Sequence, residues 1–455
     1  MRRPDWSKNP AACWGKAGHR SATRSALAEA AAQFQKGLDQ LALLPSNPER
    51  QRQQLEFYSA LGAALRAVKG LAAPKTGQAY ARARELWEQL GSPAEFVQIP
   101  FGQSRYHAYR GEFDLALRLD EDLLCLSRRR NDPAGLVLGH LSSGRNLMFT
   151  GRSGASRSHL ETALALYDPL VHRSLVHAAG FHPNGNARAC LGVVLLALGY
   201  PDQALAQSRA AIAEARRLAH LPSLASILAL GAVPFSLVGD GAVLGEWADQ
   251  LITLASDQGL PFWGAMGTTY RGWVTVKNGE VLEGISLLRS GTAAFRATGA
   301  ELFAPYPVTL LASACQIAGQ IEESLILLDE ALRIVERTGE RWFAAEVNRQ
   351  KGQLLLRLGK CAAAEALFRK ALSIAAEQGA KLWELRAAAN LARLRHEAGR
   401  HSEARGLLAP IYRWYTEGFD TPDLKDAKAL LDGIETVSAG GASSARRSDA
   451  GTSAR

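Results

Sequence analysis

The 455-residue chain is 47% hydrophobic and 21% charged, close to globular averages, so wholesale disorder is excluded and a core can form. Its 53 basic against 44 acidic residues give a formal charge of +9, but the excess sits at the ends. Residues 1–24 hold Arg2, Arg3, Lys8, Lys16, Arg20 and Arg24 against Asp5, and residues 436–455 hold Arg446, Arg447 and Arg455 against Asp449. The 411 residues between carry 44 basic and 42 acidic side chains, which argues against a nucleic-acid-binding body and leaves salt-dependent DNA affinity to the ends alone.

Residues 1–24 read as a basic N-terminal segment. No apolar run follows the basic start, so a secretory signal is not supported. Residues 25–93 read as irregular helical repeats with a turn near Gly70. From residue 94 a period takes over. Glycines recur at 111, 151, 199, 239, 279, 319, 359 and 399, spaced by 40 residues except for one interval of 48. In the C-terminal half a second series lies midway: Gly259, Gly299, Gly339 and Gly379, with Gly418 one residue early. Glycine tolerates the left-handed backbone that ends helices, so each 40-residue unit is a helical hairpin. Small residues keep register with the turns. Seven positions before each turn glycine come Ser104, Gly144, Gly192, Ala232, Gly272, Ala312, Gly352 and Ala392, and five after it come Ala116, Ser156, Ala204, Leu244, Gly284, Ser324, Ala364 and Ala404, of which only Leu244 is not small. These positions leave room for close helix approach. Eight units run from about 94 to 418, within a regular array expected over 94–434. The tail over 435–455, rich in Ser, Gly, Ala and Arg, has no apolar period and is expected to be disordered.

The 48-residue interval carries eight extra residues, including Tyr167-Asp168-Pro169 and Phe181-His182-Pro183-Asn184-Gly185-Asn186. Insertions in solenoids map to loops on one face, often the binding face. Tyr167, Asp168, His172, Arg173 and His182 are therefore the candidate binding residues, with a specific connector as the alternative. His172, His177 and His182 recur every five residues, a spacing that aligns with neither helix nor strand, so they are not read as metal ligands. The uncharged run Leu221 to Gly239 is long enough to cross a bilayer but contains Pro222, Pro234 and three serines, and reads better as a buried helix.

Gly239-Asp-Gly241-Ala-Val-Leu-Gly245 has one residue too many for a dinucleotide loop and no preceding strand. Gly15-Lys16-Ala17 lacks the upstream glycine of a phosphate-binding loop. Arg128-Arg129-Arg130 is a basic run at a predicted helix end, favourable toward the helix dipole. Trp263, Trp342 and Trp383 enter successive units at similar phase, as a core anchor or a ligand-facing ladder. His396-Glu397-Ala-Gly-Arg-His401 spaces its histidines by five across a turn, so they cannot share one helical face as zinc ligands. No catalytic, cofactor or metal residue emerges, and the chain is not expected to be an enzyme. The five cysteines, Cys13, Cys125, Cys190, Cys315 and Cys361, are too few and too scattered for a disulfide framework and suit a reducing, cytoplasmic compartment.

The small residue, turn glycine and paired alanines, with Phe368 between the alanines of one unit, resemble the tetratricopeptide (TPR) repeat. The period of 40 rather than 34 implies longer helices. The resemblance implies an all-α fold, a right-handed superhelical solenoid of TPR-like hairpins. Longer phrases resemble the C-terminal arm of bacterial proteins that join a class III adenylate/guanylate cyclase domain, an AAA-type ATPase module and a TPR region. They include Trp14-Gly-Lys-Ala-Gly-His-Arg20, Leu166-Tyr-Asp-Pro169, Leu198-Gly-Tyr-Pro-Asp-Gln-Ala204, Tyr270-Arg-Gly-Trp273 and Trp414-Tyr-Thr-Glu-Gly-Phe-Asp420. The family's usual Gly-x-Asp-Pro is Gly180-Phe-His-Pro183 here, and its catalytic motifs are missing. The resemblance implies an interaction or regulatory scaffold whose concave groove holds a protein partner, such as a separately encoded cyclase/ATPase half. The alternative is a small-molecule sensor of the kind found in TPR arms of bacterial transcriptional activators. No cofactor and no membrane association are expected.

Overall fold

The computed structural model describes residues 10–24 and 26–449; the side chains of Ala94, His177 and Ala178, and those from Val437 on, lie outside the described residues. Among the described residues every regular element is helical and no strand is present. The helices pair into antiparallel hairpins stacked side by side. The eight periodic units appear as hairpins from Gln98–Tyr109 with Phe113–Arg130 to Lys381–Glu397 with His401–Trp414. Helices of 17 and 18 residues, such as Pro261–Lys277 and Gly241–Gln258, account for the long period.

Local chemistry sets the helix boundaries. Proline occupies the first turn of Pro48–Val68, Pro133–Phe149, Pro183–Ala197, Pro201–Leu218 and Pro261–Lys277, where its fixed φ suits the helix and no amide is lost. Asn47, Asp132 and Asp240 accept hydrogen bonds from the amides of Arg50, Gly135 and Val243 at 2.8, 3.1 and 3.2 Å. All eight periodic turn glycines have positive φ, between 73° and 101°. The second glycine series is confined to the C-terminal half because Asn131 and Ala219, both at φ 51°, end the corresponding helices further upstream.

The small positions face one another within each hairpin. Ser156 Oγ donates to Gly144 O at 2.6 Å and Ser324 Oγ to Ala312 O at 2.7 Å. A methyl on Gly284 would lie 2.7 Å from both Gly272 O and Val276 N. The first helix of each hairpin lines the inside of the superhelix, and the helix Leu221–Val238, apolar enough for a membrane span by length and composition, is one of these, with 72% of it buried.

Both flanks differ from the sequence reading. Residues 10–23, read as part of a basic segment, form a helix packed on Leu27–Ala42, with Gly15 and Gly18 against the rings of Phe57 and Phe34. Residues 1–9 lie outside the described residues. The last helix, Pro422–Asp449, continues past residue 435, where the tail was placed. Its first turns cover the final hairpin through Leu424, Ala427, Leu431 and Ile434, which are buried.

The array coils far enough to touch itself. The amides of Glu301 and Leu302 donate to Tyr109 O at 2.8 and 3.3 Å, and those of Arg341 and Trp342 donate to Phe149 O at 2.9 and 3.1 Å. Glu417 accepts from Gln203 N at 3.1 Å, and Asp202 accepts from Gly418 N at 3.1 Å. The first three hairpins from Gln98–Arg130 onward thus each meet the chain about five hairpins later. An aromatic column fills the space between, in which Tyr109, Phe149, Phe262, Phe303, Tyr306, Trp342, Phe343 and Trp383 are all buried. Trp342 and Trp383 are core anchors, joined by a 2.9 Å bond from Trp383 Nε1 to Trp342 O, whereas Trp263 is only half-buried.

Candidate functional site

The extra residues of the long interval form two short helices, Pro169–His172 and Leu175–Ala179. Asp168 caps the first, its carboxylate accepting from Leu170 N at 2.8 Å and its own amide donating to His172 Nδ1 at 3.0 Å. His182 caps the helix that follows, with Nδ1 accepting from Gly185 N at 3.1 Å. That bond leaves the ring proton on Nε2, 3.0 Å from the Tyr167 hydroxyl. Burial lowers the His182 pKa to about 4, so the ring is neutral. Tyr167, Asp168, His172 and His182 are thus brought together with their polar groups committed largely to the connector, and Arg173 is exposed. The side chain of His177 lies outside the described residues, and no group of three or more potential metal ligands occurs among the described residues. The turn at Gly399 does bring His396 and His401 together, Nδ1 to Nδ1 at 2.8 Å, although they share no helical face.

The connector's larger effect is to deliver Phe181 to the inside of the superhelix. Gly180, at φ 71°, ends the second short helix where a methyl would strike the Arg66 guanidinium. Phe181 packs on Phe101 with ring centroids 5.5 Å apart. Arg105 lies over the Phe181 ring at 4.3 Å and Arg66 at 5.5 Å, and Arg66 donates to Ala179 O. Arg145 follows, 4.7 Å over Tyr109 and 5.2 Å over Phe149.

Three buried guanidinium groups therefore line successive inner helices, and among the described residues none has a carboxylate within 4 Å. Cation–π contact offsets part of their lost hydration. It does not satisfy their N–H groups: Arg105 Nε and Arg145 Nε and Nη1 have no hydrogen-bond partner. Burial, and then the neighbouring Arg145 charge, lower the Arg105 pKa to about 9. The nearest acids compensate poorly. Asp120 accepts from Ser104 Oγ at 2.6 Å and Asn146 Nδ2 at 2.7 Å, and burial raises its pKa to about 7. Glu340 accepts from Phe303 N and Trp342 Nε1, both at 2.8 Å, and burial raises its pKa to about 8. Near neutral pH the cluster is net positive.

Beside Arg145 lies a narrow cavity of about 10 Å³, room for about one water, lined by Tyr109, Ala229, Leu230, Phe262, Trp263, Met266, Leu302 and Phe303. Phe303 is held at φ 75°, a conformation costly for a bulky side chain. Sequence reasoning missed this site, although a signal exists. Arg105 and Arg145 each directly follow the small residue seven before a turn glycine, forty residues apart, whereas the next two units have Val193 and Val233 there. A larger, mainly apolar groove of about 270 Å³ opens at the N-terminal end, walled by Phe34, Ala60, Ala63, Ala64, Ala67 and Phe96 and closed in part by Gly180 and Pro222.

Comparison with known proteins places the chain in a class. The tetratricopeptide repeat family profile matches residues 307–377 and 343–409. An uncharacterized protein of Rhizobium meliloti (strain 1021) is 25% identical over 372 residues, which cover 80% of this chain and 36% of that protein, so the chain spans about a third of the relative's length. Among solved structures, a Rap protein complexed with Competence and Sporulation Factor superposes with a TM-score of 0.55 at 13% identity, covering 81% of this chain and 99% of Rap. The apo quorum sensor NprR from B. thuringiensis gives 0.47 at 14% identity, with 80% and 98% covered. A signal-transduction ATPase with a tetratricopeptide repeat sensor from Pyrococcus horikoshii gives 0.43 at 13% identity, with 86% and 55% covered. At such identities the likeness is one of fold. The chain is an all-α superhelical solenoid containing TPR repeats, a scaffold class suited to protein-interaction and regulatory roles.

Proposed function

We propose that this chain is a non-catalytic regulatory arm of a cyclase/ATPase-type bacterial signalling system, acting in the cytoplasm and taking up an apolar segment of the catalytic partner in its N-terminal groove. The observation that carries the reading is the groove itself. Ala60, Ala63, Ala64 and Ala67 form a small-residue wall along one helix, facing a space of about 270 Å³ bordered by the connector. Further along, the aromatic column occupies the inside of the array, whereas the N-terminal groove is open. Phrases shared with cyclase–ATPase–TPR proteins, and a relative almost three times longer than the matched stretch, support a catalytic half elsewhere. The connector residues Tyr167, Asp168, His172 and His182 then serve to set the groove's wall, with Arg173 at its exposed edge.

A photo-crosslinking residue at Ala63, used in cells, should capture a cyclase- or ATPase-containing chain, and Ala67→Trp should abolish capture while leaving far-UV circular dichroism unchanged. Capture of no such chain, or capture that survives the tryptophan, refutes the reading. A second reading, small-ligand sensing, is favoured by a different observation, the unpaired arginines inside the superhelix.

A further inference from the structure

We infer that the outer side of the N-terminal hairpins docks an acidic amphipathic helix of a partner, laid between the helices Leu27–Ala42 and Pro74–Gln89 and over Pro48–Val68. The furrow between these helices measures about 600 Å³ and is open to solvent. Its floor is a different face of Pro48–Val68 from the alanine wall of the partner groove. Tyr58, Leu61, Leu65 and Val68 form it, and of these only Leu61 is fully buried. Its banks are low, with Ala28, Ala31 and Ala32 on one side and Ala79 on the other.

The first ground is that nothing straps this furrow shut. Three other pairs of neighbouring outer helices are tied across by ion pairs. Arg216 meets Glu246 at 3.0 Å, Arg289 meets Glu323 at 2.7 Å, Arg296 meets Glu330, and Arg405 meets Glu435 at 2.8 Å. Between Leu27–Ala42 and Pro74–Gln89 no ion pair crosses among the described residues, because the alanines that face the furrow have nothing to reach with. The partly covered floor is left as an apolar strip along three turns of one helix.

The second ground is the sign of the charge. Every charged side chain on the furrow is a cation: Lys69, Lys75 and Arg82. Arg82 meets Glu85 on its own helix, while Lys69 and Lys75 have no carboxylate within 4 Å among the described residues. Lys75 and Arg82 stand seven residues apart, two turns along the same side of Pro74–Gln89, or about 10 Å. The floor takes apolar side chains at i, i+3 or i+4, and i+7 of a docked helix, and the alanine banks admit it closely. The cations then select carboxylates two turns apart along one flank of that helix, fixing which way it lies. Nucleic acid would satisfy the cations and leave the floor wet; an uncharged helix would do the reverse.

The test is a fluorescence-anisotropy titration of the full chain with a labelled peptide of about 18 residues, built from leucine, alanine and glutamate, with an apolar stripe and glutamates along one flank. The controls are the same composition in scrambled order, the patterned peptide with glutamine for glutamate, and a single-stranded DNA oligonucleotide. Saturable binding with Kd of about 1–100 μM is expected, with each control at least about tenfold weaker. Lys75→Glu combined with Arg82→Glu should weaken binding about tenfold or more, and Ala32→Trp, which fills the furrow from an exposed position, should abolish it. Ala67→Trp, in the partner groove, should leave it unchanged. No saturable binding, equal binding of any control, full binding by either furrow variant, or loss of binding in Ala67→Trp overturns the inference. If Ala32→Trp fails to fold, the charge reversal, made at two exposed residues, decides. None of these readouts involves the catalytic partner, so the groove reading stands or falls separately.

Discussion

Two helical glycines should respond in opposite directions to the same substitution. Replacing glycine by alanine inside a helix gains about 0.8–1 kcal/mol of propensity. Gly406 lies in His401–Trp414, is exposed, and has nothing within 4 Å of an added methyl. Gly406→Ala should therefore stabilise its hairpin by about 0.5–1 kcal/mol. At Gly284 the methyl would sit 2.7 Å from Gly272 O and 2.7 Å from Val276 N, both backbone atoms. The two helices of the Pro261–Ala297 hairpin must part to admit it, and overpacking of this kind costs about 1–3 kcal/mol or more. After the propensity gain, Gly284→Ala should destabilise by about 1–2 kcal/mol. Urea unfolding followed by circular dichroism measures the global effect. Hydrogen exchange over residues 261–297 locates it, which matters because repeat arrays unfold locally. If Gly284→Ala is as stable as the wild type, the close approach of the helices is not a constraint and the packing argument fails. Loss of stability in Gly406→Ala would undo the propensity argument instead.

Other changes test other parts of the structure. Gly359→Val forces a β-branched residue into φ 73° and should cost about 1 kcal/mol or more, read as a lower melting temperature. Tyr167→Phe removes the hydroxyl paired with His182 and should cost about 0.5–1.5 kcal/mol in urea titrations, with no larger effect if the connector is otherwise intact. Deleting residues 181–186 should lower helix content as well as binding, because it removes the buried Phe181 and the cap at His182; unchanged circular dichroism would contradict this. Glu340 should make stability fall with rising pH. Its folded pKa of about 8 exceeds the usual carboxylate value, so the folded chain holds a proton that the unfolded chain has released, and stability declines between roughly pH 4.5 and 8. Asp120, raised to about 7, adds to the same slope. Glu340→Gln should flatten the melting temperature across that window, and an equally steep profile would show that the carboxyl is ionised throughout.

The hairpins, their turns and their facing small residues were legible in the chain because each depends on neighbours within one repeat. A glycine at positive φ ends a helix whatever lies beyond it, and the distance from Gly272 to Gly284 fixes which positions must be small. The insertion was legible as a break in period, but its work was not. Tyr167, His172 and His182 were candidates because insertions in solenoids often border a binding face; in the fold His182 caps a helix and pairs with Tyr167, His172 accepts from the Asp168 amide, and the connector carries Phe181 inward. Likewise the C-terminal tryptophans could be placed in phase but not assigned to core or groove from the sequence.

What the sequence by itself determined is the periodic part, an all-α array of long TPR-like hairpins with the two helices of each packed closely. What only the tertiary structure decided is where the array meets itself. The small rotation from each hairpin to the next accumulates over about five of them before Tyr109 meets Glu301 and Phe149 meets Trp342, and no local pattern encodes that sum. The same closure turns Arg105 and Arg145, which a single repeat would leave on an open inner face, into buried cations with unpaired N–H groups. The site exists because distant turns of one superhelix enclose it.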